Sequence, residues 1–175
     1  MRVIGGAARG RPLKAKLPSS VRPTTDYARE AIFSMLESRG GLRGLVVADL
    51  YCGSGAMGIE ALSRGAAKAY FVDGDAACLA AAKANLEPLG LDGEALFVRC
   101  TLPAWSAPAD LDLVLADPPY GALDLEVLLN GVRAGRVVVE NDRHMDPPPG
   151  WLVTKLKRYG TTLVTMLEPS EGEVE

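Results

Sequence analysis

The hydrophobic pattern changes period along this chain, and the changes divide it into parts. Across 26–39, Ala28, Ile32, Phe33, Met35 and Leu36 recur at helical spacing, with Thr24 or Thr25 placed to cap the segment and Gly40-Gly41 to end it. From residue 45 onward, short apolar runs alternate with helical ones. The runs at 45–50, 69–72, 95–99, 111–116 and 136–140 read as strands, and 56–64, 75–87 and 123–132 as helices between them. The alternation predicts an α/β fold, a mainly parallel sheet with helices on both faces. It stops at Asp146-Pro147-Pro148-Pro149-Gly150. Beyond that loop, 152–158 and 161–167 are β-rich and meet at Tyr159-Gly160, which predicts a terminal antiparallel hairpin. Ahead of the first helix, Arg2-Val3-Ile4 and Arg11-Pro12-Leu13-Lys14 flank a glycine-bearing turn and predict a small N-terminal β-hairpin.

Composition narrows the class. A chain of 175 residues, 48% hydrophobic and 23% charged, suits one globular domain with a small appendage. No apolar run is long enough to span a membrane, and 1–16 lacks the apolar stretch of a secretory signal. The three cysteines (Cys52, Cys78, Cys100) have no paired spacing, and His144 is the single histidine, so no metal site is expected. Reduced thiols fit a cytoplasmic protein. Charge is uneven: 1–43 carries nine Lys/Arg against three acids, whereas the whole chain has net charge −3. A basic extension on an acidic body predicts an anionic partner for the extension. The expected organisation is therefore a basic hairpin and helix over 1–43, an α/β domain over 44–168 and an acidic tail over 169–175.

Two motifs carry chemistry. Gly53-Ser54-Gly55-Ala56-Met57-Gly58 is a GxGxxG sequence that follows a predicted strand and opens a predicted helix. Its glycines allow close approach of a ligand, and Asp73, at the end of the next strand, can accept both ribose hydroxyls of an adenosine. A ligandless tight turn is the alternative. NAD and S-adenosylmethionine both contain adenosine. Asp49, just before the loop, sits badly near a pyrophosphate and well near an amino group and a sulfonium. The second motif is Asp117-Pro118-Pro119-Tyr120, after the 111–116 strand. A carboxylate and a rigid prolyl carbonyl can accept hydrogen bonds from an exocyclic NH2 while Tyr120 stacks on the ring. By itself it could equally be a surface turn.

Asp49-Leu50-Tyr51-Cys52-Gly53-Ser54-Gly55 resembles the cofactor motif of class I S-adenosylmethionine-dependent methyltransferases, and Asp117-Pro118-Pro119-Tyr120 resembles their amino-methylating motif. With Arg2 to Arg11, Arg22 to Glu30 and Tyr159 to Leu163, the chain is similar to the RsmD family along nearly its whole length. That family methylates N2 of one guanine in 16S ribosomal RNA. The resemblance implies a Rossmann-like, mostly parallel seven-stranded sheet. It implies S-adenosyl-L-methionine as cofactor and S-adenosyl-L-homocysteine as product, with 16S rRNA or the small ribosomal subunit as partner. No membrane partner is expected, and a monomer is assumed although the sequence is silent on oligomeric state. The resemblance assigns Asp49, Tyr51, Cys52, Gly53, Gly55, Asp73, Gly74 and Asp75 to the cofactor. Thr101 stands where relatives carry an acid or amide facing the adenine, and Leu102 can offer its backbone N–H there. Asp117, Pro118, Pro119 and Tyr120 become the catalytic group. Arg2, Arg9, Arg11, Lys14 and Lys16 are candidate phosphate contacts, and Arg22, Thr24 and Arg29 candidate residues of the active-site mouth. The amino motif could also serve adenine N6 or a protein amide nitrogen. An RNA-binding module that has lost catalysis and an NAD oxidoreductase are the rivals, both disfavoured by the intact motifs.

Overall fold

A computed structural model describes residues 1–15, 26–102, 104–119, 121 and 123–170. Within them run α1 (Asp26–Glu37), β1 (Val46–Leu50), α2 (Ala56–Ser63), β2 (Lys68–Asp73), α3 (Ala76–Leu86), a 3-10 turn (Glu87–Leu89), β3 (Glu94–Arg99), β4 (Leu111–Ala116), α4 (Leu125–Gly131), β5 (Ala134–Asn141), β6 (Trp151–Tyr159) and β7 (Thr162–Pro169). The strands form one seven-stranded sheet in the order β3-β2-β1-β4-β5-β7-β6. The first five are parallel; β7 runs antiparallel to β5, and β6 to β7. This is the expected α/β fold with its terminal hairpin.

Local chemistry sets the element ends. Asp75 caps α3, its carboxylate accepting the Ala77 N–H at 2.8 Å, and Asp124 caps α4 through the Val127 N–H at 3.1 Å. Both acids therefore stand outside the helices that the hydrophobic pattern had absorbed them into. Gly41, at φ 73°, donates to the Leu36 carbonyl and closes α1. The expected caps Thr24 and Thr25 lie outside the described residues, as do Lys16, Arg22, Tyr120 and the tail from 171.

The sheet divides two cores. Val47, Leu113, Leu115 and Val138 face α1, α2 and α3, while Ala48, Leu50, Val114, Val137 and Val139 face α4 and Trp105. Packing crosses residue 43. Val3, Ala8 and Leu13 from the arm, and Ile32, Phe33 and Leu36 from α1, share the first core with Val47 and Ile59. The expected hairpin at the N-terminus is a single antiparallel bridge, Arg2 to Pro12, rather than two regular strands. What anchors it is α2. Glu60, fully buried, accepts N–H bonds from Ile4 (2.8 Å) and Gly5 (2.7 Å) and one from Arg64 Nε (2.9 Å). Ser63 Oγ accepts from the Ala8 N–H and donates to the Gly5 carbonyl. A β-carbon on Gly6 would lie 1.8 Å from the Ser63 carbonyl oxygen, so only glycine allows this contact.

Candidate active site

The parallel strands all end along one edge, and that edge carries the chemistry. β1 runs out through Asp49 and Leu50 into Tyr51, which adopts φ 58°, a left-handed conformation uncommon for a bulky residue. Such conformations cluster where a site requires the chain to turn abruptly. Gly53 and Gly55 follow at φ 50° and 76°, and the Gly55 N–H closes the turn onto the Cys52 carbonyl at 2.7 Å. The loop is clamped on three sides. Asp73 Oδ2 accepts the Gly53 N–H at 3.0 Å, Asn85 Nδ2 donates to the Ser54 carbonyl at 3.0 Å, and the Cys52 N–H bonds the Val72 carbonyl.

The helix behind the loop packs unusually close. A β-carbon on Gly58 would lie 2.4 Å from Phe71 Cε1, and one on Gly55 would lie 2.8 Å from Ala82 Cβ. Phe71 is itself fully buried and stacked on Phe97, so it has no room to retreat. Asp49 lies under this loop. It is 2% exposed, and its Oδ2 accepts the Gly58 N–H at 2.8 Å. Burial pushes its carboxyl well above the usual carboxylate range; the Gly58 N–H opposes this, and the Asp117 and Asp73 charges add to it. Burial likewise raises Tyr51, and raises the Cys52 thiol far enough to make it inert as a nucleophile.

The ends of β2 and β3 meet beside the loop. Asp73 Oδ1 accepts the Asp75 N–H at 2.9 Å, and the Cys100 N–H bonds the Asp73 carbonyl. Gly74 lies against Thr101, which an added β-carbon would meet at 3.5 Å. Asp73, Gly74, Asp75 and Thr101 thus lie together at these strand ends, with Gly74 and Thr101 exposed, while Leu102 packs against the core that holds Trp105. On the other side of β1, the Asp117 N–H reaches the Leu50 carbonyl at 3.4 Å, which sets the start of the second motif beside Tyr51. Asp117 is half-buried, Pro118 buried and Pro119 exposed. A cavity of about 510 Å³ opens next to this motif, lined by Gly121, Leu123, Asp124, Arg143, Met145 and Asp146 among others.

The basic residues separate into two groups. Arg2, Arg9, Arg11 and Lys14 are exposed, and Ser54 Oγ lies 3.8 Å from Met1 Sδ, so the arm borders the glycine loop. Arg2 and Arg11 also have internal duties, donating to the Gly10 and Pro88 carbonyls. Arg29 is a correction. It is 0% exposed, paired with Asp26 at 3.0 Å and bonded to the Arg2 carbonyl, with Nε and Nη1 unpartnered. α1 turns it inward against the sheet, so it is no surface contact. Two residues escaped the sequence reading altogether. Glu60 of α2 is fully buried, and an acid among Ala, Met, Gly, Ile and Leu was the signal for it. Glu140, the last residue of the strand expected over 136–140, is 5% exposed.

A family model described as "Conserved hypothetical protein 95" matches residues 1–168. YlbH of Bacillus subtilis is 40% identical over 182 residues, covering 95% of this chain and 97% of its own length. The Escherichia coli K12 protein named ribosomal RNA small subunit methyltransferase D is 36% identical over 137 residues, covering 74% of this chain and 65% of its own. Among solved structures, yhhF from Escherichia coli superposes with TM-score 0.81 at 29% identity, over 98% of this chain and 99% of that one. Magnesium protoporphyrin IX methyltransferase from Synechocystis, crystallised with bound SAM, shares the fold at TM-score 0.65 and 14% identity, over 86% of this chain and 87% of that one.

Proposed function

The chain belongs to the RsmD family, and on that footing we propose that it transfers a methyl group from S-adenosylmethionine to ribosomal RNA, at the exocyclic N2 of a guanine in 16S rRNA. The observation that carries this reading is the adjacency of two strand ends: the glycine loop leaves β1 where Asp117-Pro118 leaves β4, tied by the Asp117–Leu50 backbone bond. In parallel α/β sheets ligands bind in the crevice at the carboxyl ends of the strands.

The residues present fit the cofactor. Asp73 uses one lone pair of each oxygen on backbone amides and keeps others for ribose hydroxyls. Gly53 and Gly55 leave the loop free of side-chain bulk for the methionine part. Gly74, Asp75, Thr101 and Leu102 border the place for the adenine, and Asp49, buried beneath the loop, holds the helix start through the Gly58 N–H. When bound, S-adenosylmethionine would supply an electrophilic methyl group on sulfur, its carbon–sulfur bond electrons staying on sulfur to leave the neutral thioether S-adenosylhomocysteine.

Everything else falls to the protein. Guanine N2 is a weak nucleophile because its lone pair is delocalised into the ring, so placement matters most. Asp117 and the Pro118 carbonyl accept the two N2 protons and hold the nitrogen in line. As N2 bonds carbon, positive charge grows on it; Asp117 stabilises that charge and takes one proton, leaving a neutral secondary amine. Stacking on the base is the role that the family resemblance gives Tyr120, which lies outside the described residues. The exposed Arg2, Arg9, Arg11 and Lys14 hold phosphates, which orient the RNA without reading its sequence.

The test uses small ribosomal subunits from cells lacking the endogenous enzyme. These are incubated with this protein and labelled S-adenosylmethionine, and the RNA is digested to nucleosides. Label in N2-methylguanosine is expected. Label in N6-methyladenosine, in protein, or nowhere overturns the assignment.

A further inference from the structure

Three carboxylates line one face of the sheet at the ends of neighbouring strands. Side chains alternate along a strand, so Asp49 shares the face of Val47, Asp117 that of Leu113 and Leu115, and Glu140 that of Val138. All four apolar residues belong to the core beneath α1, α2 and α3. Register sets Ala116 beside Val139, and the next step along both strands brings Asp117 beside Glu140. Among the described residues, no three His, Cys, Asp or Glu side chains are grouped as metal ligands would be.

Glu140 differs from the other acids of the site. Asp49 and Asp73 are each held by backbone amides. Glu140 is 5% exposed and its Oε1 accepts no hydrogen bond. The cation facing it is Arg29 of α1, whose Nε and Nη1 are unpartnered. On the other side β7 offers Val164, which carries no charge. Among the described residues, the charges acting on Glu140 are thus Asp117 from the end of β4, Asp49 from β1 and Arg29 from α1.

We propose that Glu140, backed by Arg29, is the positioning residue for Asp117 in the methyl transfer, an inference that rests on the function proposed above. Two neighbouring carboxyl groups in a buried place retain one proton between them. Held on Glu140, that proton makes it a hydrogen-bond donor beside Asp117 instead of a second negative charge. That donor orients Asp117 toward the N2 proton it accepts. Glu140 keeps its own proton through turnover, so the proton balance of the reaction is unchanged. Burial first, then the Asp117 charge, pushes Glu140 up to about 8, with Arg29 pulling it down and Asp49 pushing it up. Above that pH Glu140 ionises and sets like charge against Asp117.

The experiment compares Glu140→Gln and Glu140→Ala with the parent chain. The pH dependence of kcat/KM for S-adenosylmethionine reports groups of the free enzyme. The parent should lose activity as pH rises through about 8. Glu140→Gln, neutral at every pH, should keep activity within roughly threefold at pH 7 and lose the alkaline fall. Glu140→Ala should lower kcat roughly 10- to 100-fold with KM for the cofactor within about threefold. An alkaline fall that persists in Glu140→Gln, or equal inactivity of both variants, overturns the proposal.

A second readout needs no activity. Between the ordinary carboxylate range and about 8, the folded chain holds a proton that the unfolded chain gives up. Stability should therefore fall as pH rises across that window, and less so in Glu140→Gln. The same pH slope in both chains overturns the proposal. Absence of methyl transfer in the parent chain would sink the proposed function and the role of Glu140 in it together, whereas transfer by the parent with no slope difference would sink the role of Glu140 alone.

Discussion

The two sides of the crevice are built differently. On the β1–β2 side, Asp73 and Asp49 are both tied to backbone amides: Asp73 holds Gly53 and Asp75, and Asp49 holds Gly58. These bonds form with the fold and fix the glycine loop before any ligand arrives. On the β4–β5 side, Asp117 and Glu140 follow the last registered pair, Ala116 and Val139, and the cation acting on Glu140 is a buried arginine with two unpartnered nitrogens. The first side is rigid through its backbone; the second is set by charge. A cofactor site benefits from rigidity because its ligand is always the same molecule. An acceptor site must answer to charge that appears only as the nitrogen is alkylated, and pre-set charges are what stabilise it.

Substitutions on either side should keep these roles apart. The largest effect is expected from Asp117→Ala, which should slow methyl transfer roughly 10²- to 10³-fold. Cofactor affinity, read by calorimetry, should stay within about tenfold, ~1.4 kcal/mol. If both fell together, the distinction between the two sides would collapse. Asp73→Asn belongs to the other side. It should weaken S-adenosylmethionine binding by about 1.5–3 kcal/mol while kcat at saturating cofactor holds. Gly58→Ala probes the rigidity directly. Its β-carbon meets Phe71, and urea unfolding should show a loss of about 1–3 kcal/mol. An unchanged midpoint would mean the helix can move, and the loop with it. The smallest effect concerns the arm. Arg9→Ala and Lys14→Ala should each flatten the salt dependence of RNA binding by about one phosphate's worth. Point substitutions are the right probe because deleting the arm would strip Val3 and Leu13 from the core and leave Glu60 without two of its partners.

Much of this was legible in one dimension. The 111–116 strand was expected and found at Leu111–Ala116 because an unbroken apolar run between a loop and Asp-Pro admits little else. The α4 helix begins two residues later than its hydrophobic pattern suggests because Asp124 takes the cap. The glycine loop and Asp73 could be joined by spacing alone, since strand, turn, helix and strand fix how far apart they come to rest. The charges were not legible in this way. Arg29 was expected at the active-site mouth and is buried, and nothing in the sequence marked Glu60 and Glu140 as buried acids.

What the sequence determined by itself was local: period, turn chemistry, two motifs, and through them the kind of ligand and acceptor expected. These depend on neighbours within a few residues, so they survive being read in order. Only the tertiary structure decided that β4 and β5 lie side by side, that α1 turns Arg29 toward Glu140 across more than a hundred residues of chain, and that Glu60 is the clamp for the arm. Whether a charge is buried, and against what, is a property of the packed strands and helices around it, and no window of sequence contains them.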